Sequence, residues 1–417
     1  MLDLIVRNAR PAQATGGPEL VDIGFEAGRI AAIEPQISAE APIFDAEGCL
    51  CCAGLIETHI HLDKSRILDR CAPEPTRSQP DHMHRVQAVK ESFTVEDIYA
   101  RAKATLEACL KHGATRIRTH AEIDAPVGVK GVEALQQLAK EYAWAVDLEI
   151  CVFPQEGLTT APAADANLIK GLELGAKVIG AAPNYDVDHP GQIARIFELA
   201  RRFDVDIDMH IDSGHDPASL DTHLVAELTE RARLGGRVAI GHATKLAGLP
   251  PAQQKTIARR LADVGVAVTV LPATDLFVLA RHLDFNVPRC VADANLFVAE
   301  GCTCSLSTNN VLNPFTPFGD GSLLRMANLH ANVLQVGDPE RLTELFGMIT
   351  HRSAALMNLE DYGLSIGNPA DLVVIDAKSP AEAVATVAEV LAAFKRGRRT
   401  LERARARLLA PGPAPRT

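Results

Sequence analysis

Histidines at the ends of four apolar segments are the residues with the clearest chemical potential in this sequence. His59 and His61 end the first segment, and His120, His210 and His242 end the other three. Alternate residues of a strand face the same side, so His59 and His61 can hold one ion between them. Neutral imidazole suits zinc and iron alike. A lone H-x-H pair is as typical of surface histidines, but the four segments together predict a metal site.

The elements that must position these histidines alternate along the middle of the chain. Short β-branched segments are separated by amphipathic stretches typical of helices, for example at residues 95–112 and 191–203. Eight candidate strands begin near Leu55, Thr115, Val146, Lys177, Asp206, Arg237, Val266 and Thr303. Eight βα units predict a closed parallel (β/α)8 barrel of the TIM type. Such barrels carry catalytic groups at the C-terminal ends of their strands, where these histidines lie.

Both ends of the chain have the pattern of short strands. Apolar segments at residues 4–6, 22–25 and 29–33, and again at 371–375, are separated by glycine and polar turns. We therefore predict one small β-sandwich domain formed by residues 1–53 together with 367–417. The barrel is predicted to span residues 54–366.

Composition excludes several classes of protein. The 417 residues carry a net charge of −11 and only 4% aromatic residues, which argues against binding a nucleic acid backbone or stacking on its bases. No apolar stretch of about 18 residues is present, so no membrane span is expected. A secretory signal is not evident, and the nine scattered cysteines are an odd number. These features predict a cytoplasmic protein with reduced thiols.

Two polar residues follow predicted strands at the same end of the barrel. Gln155 comes after the third strand, and its amide could read a donor–acceptor edge of a ring, or could instead stabilise a loop. Lys64 comes just after the first strand and could bind a substrate oxygen, or could instead form a salt bridge. The histidines outside the four strand ends are expected to be structural.

Several motifs resemble those of the cytosine deaminases of the amidohydrolase superfamily. They are G-L-I-E-T-H-I-H-L-D at residues 54–63, R-T-H at 118–120, V-F-P-Q-E-G at 152–157, M-H-I-D at 209–212, N-P-F-T-P-F-G at 313–319 and T-H-R-S-A-A at 350–355. The resemblance covers nearly the whole chain. Lys64, in H-L-D-K-S, is instead similar to the N-isopropylammelide amidohydrolases, which degrade s-triazines.

The resemblance implies a site and an activity. One divalent ion, Zn or Fe, would be held by His59, His61, His210 and the eighth-strand position, which here is Asn309. His242 and that eighth-strand group would move the proton of the attacking water. The expected reaction is hydrolysis of a C–N bond in a small nitrogen heterocycle or a related amide or amine, by a homo-oligomer. The expected substrate contacts are Gln155, Lys64, Asp212, Asn310 and Phe315.

Two departures from the cytosine deaminase pattern affect the expected chemistry. Asn309 replaces an aspartate, and a neutral amide can offer an oxygen to a metal but cannot accept a proton at pH 7. Ser213 stands where those enzymes place the glutamate that protonates the ring, and serine is a poor proton shuttle. The isopropylammelide enzymes also lack this glutamate. Cytosine itself is therefore not the expected substrate, and the alternative is a weak or silent relative that binds a metal or a heterocycle.

Overall fold

The structure is a computed structural model that describes residues 1–12, 19–74 and 81–409. The predicted domain ranges also include residues 13–18, 75–80 and 410–417, which lie outside the described residues. The division at residues 53 and 367 stays a prediction. What the structure gives is the assignment of the strands and helices to two sheets and the layers around them.

The N-terminal part of the chain forms five short strands. They are β1 (Leu4–Pro11), β2 (Val21–Glu26), β3 (Arg29–Glu34), β4 (Ile43–Asp45) and β5 (Leu50–Cys52). Strand β1 is antiparallel to β2 but parallel to β4 and β5, and its pairing with β2 shifts register between Val6 and Ala9. The shift bends β1, so that one strand serves both halves of a sandwich.

The eight strands of the predicted barrel are present and parallel, and each begins within one residue of its predicted start. They are β6 (Leu55–Ile60), β7 (Ala114–Glu122), β8 (Asp147–Phe153), β9 (Val178–Ile179), β10 (Asp206–Ile211), β11 (Val238–His242), β12 (Val266–Val270) and β13 (Cys304–Leu306). Most of their residues are buried, as expected for a parallel sheet covered by helices. The (β/α)8 fold is confirmed.

The first and last barrel strands are joined just beyond their ends. The backbone N–H of Asn309 donates to the carbonyl of His59 at 2.9 Å, and the N–H of His61 donates to the carbonyl of Asn309 at 2.8 Å. One residue before His59, the N–H of Thr58 donates to the Ser307 hydroxyl at 3.1 Å. These hydrogen bonds between the first and last strands therefore fix Asn309 directly beside the H-x-H pair.

Helices pack around the barrel, most of them between its strands, and the last four follow its eighth strand. They are α1 (His82–Lys90), α2 (Val95–Lys111), α3 (Lys130–Glu141), α4 (Pro162–Glu173), α5 (His189–Phe203), α6 (Thr222–Ala232), α7 (Pro251–Val264), α8 (Pro272–Val278), α9 (Ala294–Ala299), α10 (Leu323–Leu334), α11 (Pro339–Gly347), α12 (His351–Leu356) and α13 (Pro380–Thr386). Thr94 and Asp188 cap α2 and α5 through their side chains, which sets where these two predicted helices begin. Among the described helices, none is long and apolar enough to cross a membrane.

The C-terminal part of the chain returns to the first sheet. Strands β14 (Leu372–Ile375), β15 (Val390–Lys395) and β16 (Arg398–Glu402) extend it, with β14 antiparallel to β5. Side chains from both chain ends share one apolar core, in which Phe25 and Phe394 meet edge to face. The predicted small β domain assembled from both chain ends is confirmed.

Candidate active site

A cavity opens at the C-terminal ends of the barrel strands. Together with the open solvent at its mouth, the space amounts to about 430 Å³. Most of the residues singled out in the sequence line it, namely His61, Lys64, Gln155, His210, Ser213, His242, Asn309, Asn310 and Phe315. His59 lies buried just beneath, while Asp212 does not line the cavity. The barrel therefore gathers residues from five separate strand ends at one place.

Three histidine rings converge at the floor of the cavity. The Nε2 atom of His210 lies 3.1 Å from Nε2 of His59 and 3.1 Å from Nε2 of His61. Burial lowers the pKa of His61 and His210 well below the usual histidine value, and the nearby Lys64 and histidine rings lower it further. Burial together with His120 lowers the pKa of His59 to about 3. Neutral imidazole is the form that binds a metal ion.

His120, at the end of β7, belongs to the same cluster. Its ring stacks on His59 with centroids 3.8 Å apart, and nitrogen atoms of His59, His120 and His210 all lie within 4.8 Å of one another. The sequence marked His120 as a strand-end histidine but gave it no role. Its position makes it a further candidate ligand or a close neighbour of one.

The donor set fits a divalent cation. The Asn309 Oδ1 atom and both ring nitrogens of His120 are buried without a hydrogen-bond partner among the described residues. Each such atom costs about 1–3 kcal/mol when nothing satisfies it. Imidazole nitrogens with an amide oxygen form a ligand set suited to zinc or iron, and a cation at this point would satisfy the Asn309 oxygen and one of the two His120 nitrogens.

A buried carboxylate stands behind the histidines. Asp208, on β10, places Oδ1 3.6 Å from Nδ1 of His59 and 3.6 Å from Nε2 of His120, and Arg118 donates to its other oxygen at 3.0 Å. A carboxylate in such a position orients the imidazole rings of a metal site. The sequence analysis did not assign Asp208, although its two-residue spacing from His210 places both on one face of β10.

His242, at the end of β11, is held by a second buried carboxylate. Its Nδ1 lies 2.6 Å from Oδ1 of Asp275, which is on α8 after the next strand. Burial raises the pKa of Asp275 above its usual value, while the contact with His242 lowers it. The Nε2 atom of His242 has no partner among the described residues and is free for the cavity. Asp275 was not identified from the sequence.

Lys64 and Gln155 form one wall of the cavity together. The Lys64 ammonium donates to Oε1 of Gln155 at 2.9 Å and to Oε1 of Glu122 at 2.6 Å, and lies 4.5 Å from the centroid of Phe315. Because lysine has only donors, the Gln155 oxygen must face it, and the Gln155 amide N–H groups remain for a ligand. The salt-bridge alternative for Lys64 is observed with Glu122, and the ammonium also lies at the cavity wall, where its contact with a substrate stays a prediction.

Asp212 and Ser213 differ in their placement. The Asp212 carboxylate accepts from the N–H groups of Asp221 at 2.9 Å and Thr222 at 3.0 Å, so it stabilises the start of α6. Because both oxygens are engaged there, outside the cavity, we no longer assign Asp212 to substrate. Ser213 does line the cavity. Asn310 also lines it, with its amide oxygen accepting from Asn313 at 2.7 Å.

Comparisons with known proteins agree with this geometry. The chain is 27% identical over 410 residues to N-isopropylammelide isopropyl amidohydrolase of Pseudomonas sp. (strain ADP), covering 95% of this chain and 96% of that protein. The structure of 5-methylcytosine deaminase from Klebsiella pneumoniae with 5-fluorocytosine matches with a TM-score of 0.90, 26% identity and coverage of 98% and 99%. That of N-isopropylammelide isopropylaminohydrolase from Burkholderia multivorans matches with a TM-score of 0.82, 27% identity and coverage of 96% and 98%.

The sequence also matches a model of one protein family. The model described as "Amidohydrolase family" matches residues 91–400, which is most of the sequence and most of the barrel. Taken with the strand-end histidines and the parallel barrel, this match shows that the chain belongs to the amidohydrolase family.

Proposed function

We propose that this chain is a metal-dependent hydrolase that cleaves an exocyclic C–N bond of a small nitrogen heterocycle. The observation that carries the proposal is the convergence of His59, His61 and His210 on the floor of a cavity whose wall holds His242. Relatives similar over nearly the whole chain are named for reactions on ammelide and cytosine rings, which supports a substrate of that class.

The metal site would be formed by His59, His61 and His210, with the Asn309 oxygen beside them and His120 close by. A divalent ion held there would make an attacking water acidic enough to lose its proton near neutral pH. One ion, zinc or iron, is the occupancy we propose. The chain supplies no carboxylate at the eighth strand, so the site is less negative than one with an aspartate at residue 309.

In this proposal, His242 transfers the proton. Its Nε2 faces the cavity while Nδ1 is bound to Asp275, so one nitrogen can take the proton of the attacking water and pass it to the leaving nitrogen. Asn309 cannot accept this proton, and Ser213 is a poor shuttle. His242 is therefore the catalytic acid and base in our proposal.

In this proposal, the residues on the wall formed by Lys64 and Gln155 orient the substrate. The Gln155 amide N–H groups and the Lys64 ammonium would donate to acceptor atoms on the ring, and Phe315 would pack on its face. Asn310 completes the set with its amide. That the protein forms a homo-oligomer and acts in the cytoplasm stays a prediction from the sequence.

The competing function is a protein that binds a metal or a heterocycle without turning it over. Asn309 favours it, because the usual eighth-strand acid is missing. Turnover of a panel containing N-isopropylammelide, 5-methylcytosine and pterin, with released amine or ammonia measured, separates the two. We expect His242→Ala to abolish release from the best substrate. A protein that binds a panel member and releases nothing would establish the binding function instead.

A further inference from the structure

Asp275 is a buried carboxylate with one polar side chain as its partner. Its side chain is fully buried, and Oδ1 lies 2.6 Å from Nδ1 of His242. The other oxygen, Oδ2, has no hydrogen-bond partner among the described residues. Asp212, by contrast, engages both oxygens at the start of α6. Among the described residues, His242 is the one side chain that is hydrogen-bonded to the buried Asp275 carboxylate.

The contact selects one form of the imidazole. A carboxylate only accepts hydrogen bonds, so Nδ1 of His242 must carry the proton, and Nε2 keeps its lone pair toward the cavity. Without a carboxylate at Nδ1, either ring nitrogen of a neutral histidine can carry the proton. When Nε2 takes a proton, the adjacent negative charge also stabilises the imidazolium that forms.

We infer that Asp275 is a positioning residue that holds His242 in the Nδ1-protonated form and places a negative charge beside this histidine, in a site whose eighth-strand residue, Asn309, is neutral. The part of this inference that concerns turnover rests on the proposed function. The part that concerns the state of His242 does not, because it follows from the contact alone.

The first experiment reads the state of His242 without any turnover. Zinc-loaded protein labelled with ¹⁵N-histidine is examined by long-range ¹H–¹⁵N spectra, and the His242 signals are assigned by their loss in His242→Gln. We expect a protonated Nδ1 and a bare Nε2 in the parent, and a change to protonated Nε2 in Asp275→Ala. If His242 keeps the same form in Asp275→Ala, the inference is wrong, whatever the protein hydrolyses.

The second experiment measures turnover of the best substrate among N-isopropylammelide, 5-methylcytosine and pterin. The isosteric Asp275→Asn should lower kcat by about 10²–10⁴-fold, with a much smaller change in KM. Formate added to Asp275→Ala should restore part of the lost kcat, because it can occupy the space of the missing carboxylate. A kcat within about twofold of the parent in Asp275→Asn, or no rescue by formate in folded Asp275→Ala, would overturn the inference.

A matched control removes another buried carboxylate far from the cavity. Asp22, in the small β domain, accepts from the N–H groups of Asn8 and Ile37 and is 3% exposed. Asp22→Asn should leave both the His242 spectrum and kcat unchanged, and it reports any general cost of neutralising a buried acid. Zinc content, measured on every variant, separates loss of the ion from loss of the His242 state.

Discussion

Asn309 is the residue at which this chain departs most from the pattern it resembles. Its backbone is fixed on both sides by hydrogen bonds to His59 and His61, and its φ of 63° lies in the left-handed region that asparagine tolerates better than most residues. Its side-chain oxygen is buried without a partner. The backbone therefore holds Asn309 beside the H-x-H pair in the cavity lining, and its side chain differs from that of an aspartate in charge rather than in shape.

Restoring that charge should strengthen the metal site. We expect Asn309→Asp to retain zinc at lower free zinc concentrations than the parent, because an anionic ligand replaces a neutral one, and to raise turnover of cytosine analogues. Zinc retention during titration with a chelator measures the first effect. Asn310→Asp adds the same charge one residue away, where the oxygen binds Asn313, and should not improve retention. Equal retention in both variants would contradict the placement of Asn309.

Gln155 tests the orientation of the substrate. Removing its amide should cost about 1–3 kcal/mol of transition-state binding, seen as a loss of kcat/KM on the best heterocycle. Gln253→Ala, on the exposed side of α7, is the control for a glutamine truncation. If Gln155→Ala stayed within about twofold of the parent, Gln155 would not contact the ring.

The sequence predicted most residues of the cavity but not their partners. His59, His61, His210 and His242 were evident because each ends an apolar strand, and barrel geometry brings strand ends together. Asp275 was not evident, because it lies on a short helix whose direction depends on the loop after β12. The placement of Asp212 was not predictable either, because its carboxylate turns toward α6, across the connection that follows β10, rather than into the cavity.

At the scale of elements, the strands were predictable because their β-branched and apolar segments are short and regularly separated. The connections between them were not, since a loop's course depends on contacts that a single sequence does not reveal. Close approach between strands is one such contact. Gly180, directly after β9, lies so near β10 that a Cβ there would be 2.4 Å from the carbonyl oxygen of Asp208.

That close approach predicts a link between packing and the metal site. Gly180→Ala should push β10 away from β9, lower the free energy of unfolding by about 1–3 kcal/mol and displace His210, two residues beyond Asp208. Urea unfolding and zinc retention together measure the effect. Gly337→Ala is the matched control, because no atom lies within 4 Å of its added Cβ. Unchanged zinc retention in Gly180→Ala would separate this packing contact from the site.

At the scale of the whole molecule, a buried lysine joins the small β domain to the barrel. Lys395, on β15, donates to Asp371 at 2.6 Å within the small domain and to Asp147 at 2.7 Å and the Thr115 carbonyl at 3.1 Å on the barrel. The side chain is almost fully buried. The small β domain and the barrel are therefore held together by these polar contacts as well as by apolar ones.

Removing this lysine should destabilise the whole chain. Lys395→Met leaves two carboxylates short of a partner, and breaking a buried pair costs about 3–5 kcal/mol. Arg396 also pairs with Asp147, which places the expected loss toward the lower end. Urea unfolding measures it, with Lys103→Met, at an exposed ion pair with Glu141, as the control with a much smaller effect. An equal effect in the two variants would contradict the role of Lys395.

Metal content tests the central claim most directly. Protein purified without chelator and measured by elemental analysis should carry about one equivalent of zinc or iron, because neutral imidazoles converge at one point. His61→Ala and His210→Ala should lose most of it, whereas His351→Ala, outside the cavity, should keep it. Less than about a tenth of an equivalent in the parent, unchanged in His61→Ala, would contradict a metal-dependent hydrolase at this site.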